Sequence, residues 1–513
     1  MPSLRPETLS RLARVALLVF FAWLTGRFWH PYYGFTRFLQ MDEDSMAHTL
    51  PELRTAPIFL YEDGYDGHYY AQLAARPAVN DPALRGAIDN VGYRARRILL
   101  SWTAWAAGGG DPVAAVRIYA WLNLVIWAGL AALLGRIFPH DWRGTLTWAG
   151  VLFSAGALHS VRLALTDLLA LLLVAGATVL AERNRRGPAT ALLGLGGLAR
   201  ETVLLGAVTL LPPGKGPRAD WLRAVGRVGL VAVPLVLWLL YLRLRLNPIQ
   251  PGLHNFALPV TGWAAKWTEM WRRLHTEPDQ YLTLTTLLAH FALTVQALFI
   301  ISRPKPQDNW WRLGAVYVGL MLFLGPAVWE GHPGAASRVL LPLTLAFNVL
   351  VVRTRVPWLW PVLGNLSLLS GVLMLWQVPP GRHELTAGWS PAGSYVVHTD
   401  AHWYETEAGR TRSWAWCAQE GALRLDFQPR RSEAVNLQVA VKGFTPRRLE
   451  IRQGGRVLWR GDLAPRAQWI HLFGVAVTDG HAQLEFASPT PPLTENAASG
   501  RELGFAVYEV KVE

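Results

Sequence analysis

Long apolar runs recur along the first three quarters of this 513-residue chain, and short basic clusters separate them. A helix needs about 20 apolar residues to cross the hydrocarbon core of a bilayer. With 51% hydrophobic and 17% charged residues, the chain is more apolar than an ordinary soluble enzyme. The sequence therefore predicts an α-helical polytopic membrane protein. Its net charge of +13 is assigned to membrane topology and not to nucleic-acid binding.

We expect about eleven transmembrane helices, some of them too short to cross the membrane alone. They are placed near residues 11–28, 113–135, 145–160, 162–182, 188–200, 202–212, 222–246, 281–302, 312–330, 336–353 and 357–378. In this layout basic stretches such as "AERNRRG" and "VRTRV" fall on one side, which the positive-inside rule assigns to the cytoplasm. The N-terminus is then cytoplasmic, and the first segment, which no clear cleavage site follows, is a retained helix.

The tail changes character near residue 380, where short alternating stretches replace the apolar runs. "ALRLDF", "NLQVAVKGF", "AQLEFA" and "GFAVYEVKVE" alternate with a period of two between turn residues, which indicates antiparallel strands. We predict a transmembrane domain over 1–379 and an extracytoplasmic β-sandwich over 380–513, joined by the linker "VPPGRHELTAGWSP". The single cysteine, Cys417, excludes a disulfide within the chain.

The first outside loop, expected over 29–112, contains the decapeptide "YEDGYDGHYY". Loops of about 80 residues usually have a function or structure of their own. Gly64 and Gly67 flank Asp66, so the backbone can turn tightly and hold Asp63 and Asp66 towards one point. The pattern fits a site, and it also fits a simple turn.

Further along the same loop, Arg94 and Arg97 are three residues apart and are expected to share a helix face. Two guanidinium groups in that arrangement could hold a phosphate or diphosphate. The alternative is that each side chain snorkels to lipid headgroups.

Ionisable residues also occur inside or beside other spans, towards the outer face of the predicted topology. They are Arg162, Asp167, Arg200, Glu201, Glu330, His332 and Arg338. Charges in a membrane are costly unless they are paired or face a wet cavity, which makes each one a functional candidate. A structural alternative is that pairs such as Arg162 and Asp167 pin helices together.

Several of these motifs together resemble the GT-C glycosyltransferases, a class of integral membrane enzymes. "GYDGHYYAQLAARP", "DNVGYRARRILLSW", "GLARETVLL" and "ASRVLLPL" are similar, in this order, to bacterial membrane proteins of cell-surface glycan assembly. The resemblance covers most of residues 55–350. The tail, with "WYETEAGRTRSWAW" and "GRELGFAVYEVKVE", is similar to β-sandwich modules appended to polysaccharide-assembly transferases.

The resemblance implies a location in the bacterial inner membrane and a defined reaction. A sugar would pass from a polyprenyl-phosphate carrier to a glycan, lipid or protein acceptor on the outer side, usually with inversion. Asp66 is then the first candidate for the general base and Asp63 the second. Arg94, Arg97, Arg200 and Arg338 would stabilise the leaving phosphate, with Arg162, Asp167, Glu201, His68 and Tyr69 in support.

The acidic pair departs from the adjacent acidic residues of many GT-C enzymes, because here the spacing is "DGYD". Asp63, Asp66 and His68 could instead hold Mg²⁺ or Mn²⁺, since they offer oxygen donors and one imidazole. The alternative is that His68 only makes hydrogen bonds within the loop.

Two other functions remain open on the sequence. A lipid-linked glycan transporter or flippase would use the buried charges to line a pathway, although no inverted repeat is visible. A non-catalytic glycan-binding membrane protein would use "GYDG" as a structural turn only.

Overall fold

The computed structural model describes residues 5–212, 214, 217–246, 255–277, 280–379, 381, 383–391, 393–408, 413–496 and 499–513. The chain divides into two compact units. The helical unit comprises Met1–Phe28, Phe35–Ala56 and Asp63–Val378, and the β-unit comprises Trp29–Gly34, Pro57–Glu62 and Pro379–Glu513. The predicted fold class, a helical polytopic membrane protein with a C-terminal all-β domain, is confirmed.

The first helix, α1, spans Pro6–Gly26, and the long loop after it is folded into short elements. Its α-helices are α2 Glu43–His48, α3 Gly67–Ala75, α4 Leu84–Ala87, α5 Val91–Arg94 and α6 Leu99–Ala107. Its 3₁₀ helices are Thr36–Phe38, Pro51–Leu53 and Ala95–Arg97, and its strands are β1 Met41–Asp42 and β2 Leu60–Tyr61. The loop is therefore long because it contains a structure of its own, as its length suggests.

The remaining helices follow the predicted apolar runs, except the helix Thr261–Thr276, which lies between the spans predicted at 222–246 and 281–302. They are α7 Pro112–Gly135, α8 Trp142–Leu152, α9 Ala155–Arg162, α10 Asp167–Glu182, α11 Arg186–Ala199, the 3₁₀ helix Glu201–Leu210, α12 Arg218–Arg245, α13 Thr261–Thr276, α14 Tyr281–Ser302, α15 Asn309–Phe323, α16 Pro326–Trp329, α17 Ala336–Val339, α18 Leu341–Thr354, α19 Leu359–Gly364 and α20 Ser367–Trp376. The predicted span 145–160 is divided between α8 and α9, and the predicted span 336–353 between α17 and α18.

Five helices in the described ranges are long and apolar enough to cross a membrane. They are Pro6–Gly26, Pro112–Gly135, Arg218–Arg245, Tyr281–Ser302 and Leu359–Trp376, the last of which comprises α19 and α20. The other predicted spans correspond to shorter helices, so the number of eleven spans stays a prediction.

Two of the short helices form an antiparallel hairpin. The backbone at Gly196 packs against Val203, and Gly206 packs against Leu193, so α11 and the 3₁₀ helix Glu201–Leu210 run side by side. At 1.5 and 2.0 Å per residue, the two arms are each about 20 Å long, against about 30 Å for a hydrocarbon core. Neither arm is therefore long enough to cross a hydrocarbon core alone, and Arg200 and Glu201 form the tip between the arms.

The β-unit contains two larger antiparallel sheets. Its strands are β3 Glu384–Ser390, β4 Gly393–Thr399, β5 Glu407–Ala408, β6 Ser413–Cys417, β7 Glu420–Gln428, β8 Glu433–Gly443, β9 Arg447–Gln453, β10 Arg456–Leu463, β11 Gln468–Val477, β12 His481–Ala487, β13 Leu493–Thr494, β14 Glu502–Leu503 and β15 Phe505–Val512. The six-stranded sheet has the order β10-β9-β12-β7-β4-β3, and the five-stranded sheet has the order β11-β8-β15-β6-β5.

The alternating residues of these strands form the core of the β-unit. In β12, Ala482, Leu484 and Phe486 are buried, whereas Gln483 and Glu485 between them are exposed. Leu484 lies opposite the buried Leu423 of β7, and the core also contains the thiol of Cys417. The strands predicted from the period of two are thus confirmed. The predicted linker is wrong in its second half, because Glu384–Ser390 is strand β3.

The β-unit also includes two pieces of the first loop. His30 Nε2 lies 2.9 Å from Glu384 Oε1, and the Tyr33 hydroxyl lies 2.9 Å from His398 Nε2. These side-chain contacts attach residues 29–34 to strands β3 and β4. The contacts join residues more than 350 positions apart, so no local sequence pattern indicates them.

Candidate functional site

A cleft of about 470 Å³ lies in the helical unit, where the first loop meets the ends of several short helices. Five arginines line it: Arg94, Arg96, Arg97, Arg200 and Arg338. Three carboxylates also line it: Asp66, Glu201 and Glu330. Apolar side chains, among them Leu320 and Val339, form the rest of its wall. The cleft therefore combines an excess of positive charge with an apolar surface.

The decapeptide at 61–70 brings Asp66 into this cleft through two glycines. A Cβ at Gly67 would collide with the backbone carbonyls of Leu163 and Leu39, and a Cβ at Gly64 would collide with the side chain of Asp42. At Gly67, where the neighbouring atoms belong to the backbone, only glycine allows such close approach. The loop consequently packs directly against the turn between α9 and α10.

Asp66 is held by an arginine at the rim of the cleft. Arg94 Nη1 lies 2.6 Å from Asp66 Oδ2, and Arg94 Nη2 donates to Asp89 Oδ2 at 2.7 Å. Burial alone would lower the pKa of Arg94, but its hydrogen bond to Asp89 and the charges of both aspartates outweigh burial and raise it. The ring of Tyr69 stacks beneath the same guanidinium, with 5.0 Å between Arg94 Cζ and the ring centroid. Asp66 is thereby fixed in direction, while its side chain stays 30% exposed.

Arg97 is bound to the tip of the helical hairpin. Its Nε donates to Glu201 Oε2 at 3.1 Å, and its Nη1 donates to the hydroxyl of Tyr70 at 3.2 Å. The hydroxyl of Tyr317, on α15, donates to the Thr202 carbonyl at 2.8 Å and fixes the tip from the other side. Arg94, at the end of α5, and Arg97, at the end of the 3₁₀ helix that follows it, thus line one cleft, but each already has a carboxylate partner.

Asp167, the first residue of α10, joins two further arginines. Its carboxylate forms an ion pair with Arg200 and lies 3.4 Å from Arg338 Nη1. The Asp167 side chain is 2% exposed, and Arg338 Nη2 donates to the Tyr65 hydroxyl at 3.0 Å. The arrangement is a buried Arg–Asp–Arg triad, whose arginines reach the cleft and whose carboxylate lies behind it.

Close helix packing makes this triad possible. A Cβ at Gly156 would collide with the Ser337 carbonyl, so α9 touches α17 at the residue before Arg338. The tip of the hairpin brings Arg200 to the same carboxylate, that of Asp167. Arg200 and Arg338 both line the cleft, and each has a buried Nε that makes no hydrogen bond with the described residues.

An apolar groove of about 420 Å³ adjoins the charged cleft. It is lined by Leu205, Phe256, Val316, Gly319, Leu320 and Phe323. Phe256 and Leu320 line both the groove and the cleft, so the two share a wall. An elongated ligand with a charged head and an apolar tail matches this combination.

The predicted metal site is not assembled. His68 is buried on α3, where Nε2 lies 3.4 Å from Ser45 Oγ and Nδ1 lies 3.5 Å from Gln72 Nε2. Asp63 is exposed and does not line the cleft. Within the described residues, no group of three His, Cys, Asp or Glu side chains could hold a metal ion. The hydrogen-bonding alternative for His68 therefore fits the geometry, and the set Asp63, Asp66 and His68 does not fit Mg²⁺ or Mn²⁺.

The other predicted residues fall in two groups. Asp66, Arg94, Arg97, Arg200, Glu201 and Arg338 line the cleft. Asp167 supports two of them from behind, and Arg162 is buried with its guanidinium 4.9 Å from the ring centroid of Phe28. Sequence reasoning missed Arg96 and Tyr93, although both lie in the quoted stretch "DNVGYRARR" and both line the cleft.

The fold and the site together define a multi-pass membrane protein with a basic cleft, an adjoining apolar groove and an all-β domain. No family model and no curated protein matches the sequence. A solved structure that matches is the arabinofuranosyltransferase AftD from mycobacteria, with a TM-score of 0.38 and 11% identity over 99% of this chain. The chain spans 59% of the length of AftD. A match at this TM-score and identity assigns neither a fold family nor an activity.

Proposed function

We propose that the protein is a membrane glycosyltransferase that uses a polyprenyl-phosphate sugar as its donor. The observation that supports this best is the shared wall between the basic cleft and the apolar groove. A polyprenyl phosphate has one charged phosphate at the end of a long apolar chain. The cleft and the groove offer one complementary surface for each part.

The phosphate is bound by the arginines of the triad. Arg200 and Arg338 keep unused Nε donors in the described structure, and Asp167 holds both guanidinium groups in place. Charge-assisted hydrogen bonds of this kind are strongest where water is excluded. As the bond between the sugar and the phosphate breaks, negative charge grows on the phosphate oxygens, and these donors stabilise it.

Asp66 acts as the general base. It lines the cleft at the rim, and its ion pair with Arg94 orients the carboxylate without burying it. The acceptor hydroxyl loses its proton to Asp66 as its oxygen forms a bond to the anomeric carbon. The polyprenyl phosphate leaves with the bonding electrons from the opposite face, which gives inversion.

The cleft opens on the extracytoplasmic side in this proposal. The turn between α10 and α11 carries "AERNRRG", which the positive-inside rule assigns to the cytoplasm, and the hairpin tip lies at the other end of α11. The β-unit and the first loop lie on the outer side. The acceptor is a glycan, lipid or protein of the cell surface, and the membrane is the inner membrane of a bacterium.

The experiment that tests the proposal is turnover by the purified protein in reconstituted bilayers. A panel of radiolabelled polyprenyl-phosphate sugars is supplied with a cell-envelope extract as the source of acceptor. Release of polyprenyl phosphate and transfer of label are measured for the native protein, Asp66→Asn, Asp63→Asn and Asp81→Asn. Asp81 is a matched control, because it also pairs with an arginine of the first loop, Arg76, and does not line the cleft.

We expect turnover by the native protein, Asp63→Asn and Asp81→Asn, and none by Asp66→Asn with donor binding intact. Turnover by Asp66→Asn would remove this residue as the base. If the native protein and all three variants bind the donor but none turns it over with acceptor present, the proposed enzymatic activity is contradicted. That result would favour a transporter or a glycan-binding protein.

A further inference from the structure

A second cavity, of about 630 Å³, lies away from the cleft, at the turn between α10 and α11 and the start of α12. Arg186, Arg223 and Arg227 line it, together with Pro212 and one carboxylate, that of Asp220. These residues surround the first turn of α11 and the first three turns of α12. The cavity is therefore built where two helices begin.

The charge in this cavity is not balanced. Arg223 Nη2 lies 2.7 Å from Asp220 Oδ1, so these two charges compensate each other. Within the described part of the chain, neither Arg186 nor Arg227 forms an ion pair. Arg186 and Arg227 thus share a concave site whose one carboxylate is already paired with Arg223, although like charges close to each other repel. An anionic ligand would remove this repulsion.

The outer surface of α12 indicates which kind of anion fits. Leu222 and Val225, close in sequence to Arg223 and Arg227, are 73% and 59% exposed. Exposed apolar residues continue along the helix, and only 22% of its most apolar window is buried. A helix of 28 residues is about 42 Å long, so its ends extend beyond a hydrocarbon core of about 30 Å. Its basic first turns then lie at the level of the lipid phosphates, with an apolar surface beside them.

We propose that this cavity binds the phosphate headgroup of an anionic phospholipid, whose acyl chains lie along the exposed face of α12. A zwitterionic lipid brings its own cation and would leave the two arginines uncompensated. A soluble anion would neutralise them but would not cover the apolar face of α12. The site is independent of the cleft and of the function proposed for it.

The first measurement is lipid retention by native mass spectrometry. The purified full-length protein is loaded with phosphatidylglycerol or phosphatidylcholine at matched concentrations, and the lipid adducts that survive activation are counted. The test variant is the double substitution Arg186→Gln with Arg227→Gln. The matched control is Arg243→Gln with Arg245→Gln, which removes two exposed arginines from the opposite end of the same helix.

We expect the native protein and the control to retain phosphatidylglycerol in preference to phosphatidylcholine. The test variant should lose about 30-fold in apparent affinity, because each arginine near an anionic lipid surface contributes about 1 kcal/mol and two such losses together correspond to that factor. Arg186→Lys with Arg227→Lys keeps both positive charges, so this variant should keep most of the preference for phosphatidylglycerol over phosphatidylcholine. It therefore separates a loss of lipid binding from a loss of folding.

Three results would overturn the proposal. An equal loss in the control variant would show a general attraction of basic residues to anionic lipid. If the native protein retained phosphatidylcholine as well as phosphatidylglycerol, binding would depend on hydrophobic contact with the acyl chains alone. If inorganic phosphate raised the thermal unfolding temperature of the native protein as much as phosphatidylglycerol does, and failed to do so for the test variant, the site would take a soluble anion.

Discussion

The buried triad of Arg200, Asp167 and Arg338 predicts a large and specific effect of one substitution. Asp167→Asn removes the negative charge and leaves the size of the side chain nearly unchanged. Arg338 Nη1 and Asp167 Oδ2 are 3.4 Å apart, and unit charges at that distance attract by about 5 kcal/mol at an effective dielectric constant of about 20. The variant also leaves two guanidinium groups, 10% and 6% exposed, facing each other without an anion. We expect the free energy of unfolding to fall by about 3 to 5 kcal/mol.

The assay is equilibrium unfolding of the purified protein in detergent, followed by tryptophan fluorescence. Asp220→Asn is the matched control, since Asp220 lies only 2.7 Å from Arg223, but both side chains are largely exposed. Exposed pairs contribute about 0 to 1 kcal/mol, so the control should barely change stability. Burial, and not distance, is then the cause of the difference.

A double variant separates the charge effect from other consequences of the substitution. Asp167→Asn combined with Arg338→Met removes one of the two facing cations, so it should be more stable than the sum of the single effects predicts, by about 0.5 to 3 kcal/mol. If Asp167→Asn costs no more than Asp220→Asn, the triad does not stabilise the helical unit and our reasoning is wrong.

Three further predictions concern the loop, its histidine and the groove. Gly67→Ala should destabilise the helical unit by about 1 to 3 kcal/mol, because the added Cβ meets two backbone carbonyls. Gly86→Ala, where the added Cβ meets open space, should not destabilise it, and thermal unfolding compares the two variants. Burial lowers the pKa of His68 from its ordinary 6.5 to about 4, so between these pH values the unfolded chain binds a proton that the folded chain does not. The free energy of unfolding should therefore fall as the pH falls from 6.5 to 4. His68→Gln should flatten the profile of unfolding temperature against pH. Gly319→Phe should fill the groove, because a Cβ at Gly319 meets open space, and should weaken donor binding in a lipid-binding assay. Gly229→Phe, where a Cβ also meets open space, should leave donor binding unchanged; equal binding by both variants would exclude the groove as the site of the donor tail.

The sequence predicts the helices well where one apolar run forms one helix. The run placed at 113–135 is the helix Pro112–Gly135, and the run placed at 281–302 is Tyr281–Ser302. Local period and length decide such elements, and both are visible in the sequence. Breaks inside a run are not visible in the same way: the chain turns at Phe153 between α8 and α9 in a stretch that stays apolar. The membership of residues 29–34 in the β-unit depends on contacts with strands far along the chain, which no local pattern encodes.

The site shows where such reasoning ends. Ionisable residues in apolar surroundings mark Arg200 and Arg338 as candidates, and the glycine-flanked acidic loop marks Asp66. All three line one cleft. Their partners do not follow from the sequence, because Asp167 meets Arg338 from 171 positions away. The pairing is fixed by backbone contacts at glycines: Gly67 lets the acidic loop touch the turn before Asp167, and Gly156 lets α9 touch the residue before Arg338. The glycines of "YEDGYDGHYY" thus help to bring Asp66 close to the two arginines of the triad, Arg200 and Arg338. The proposed reaction requires this proximity, because the base and the phosphate site must lie on either side of the sugar that is transferred.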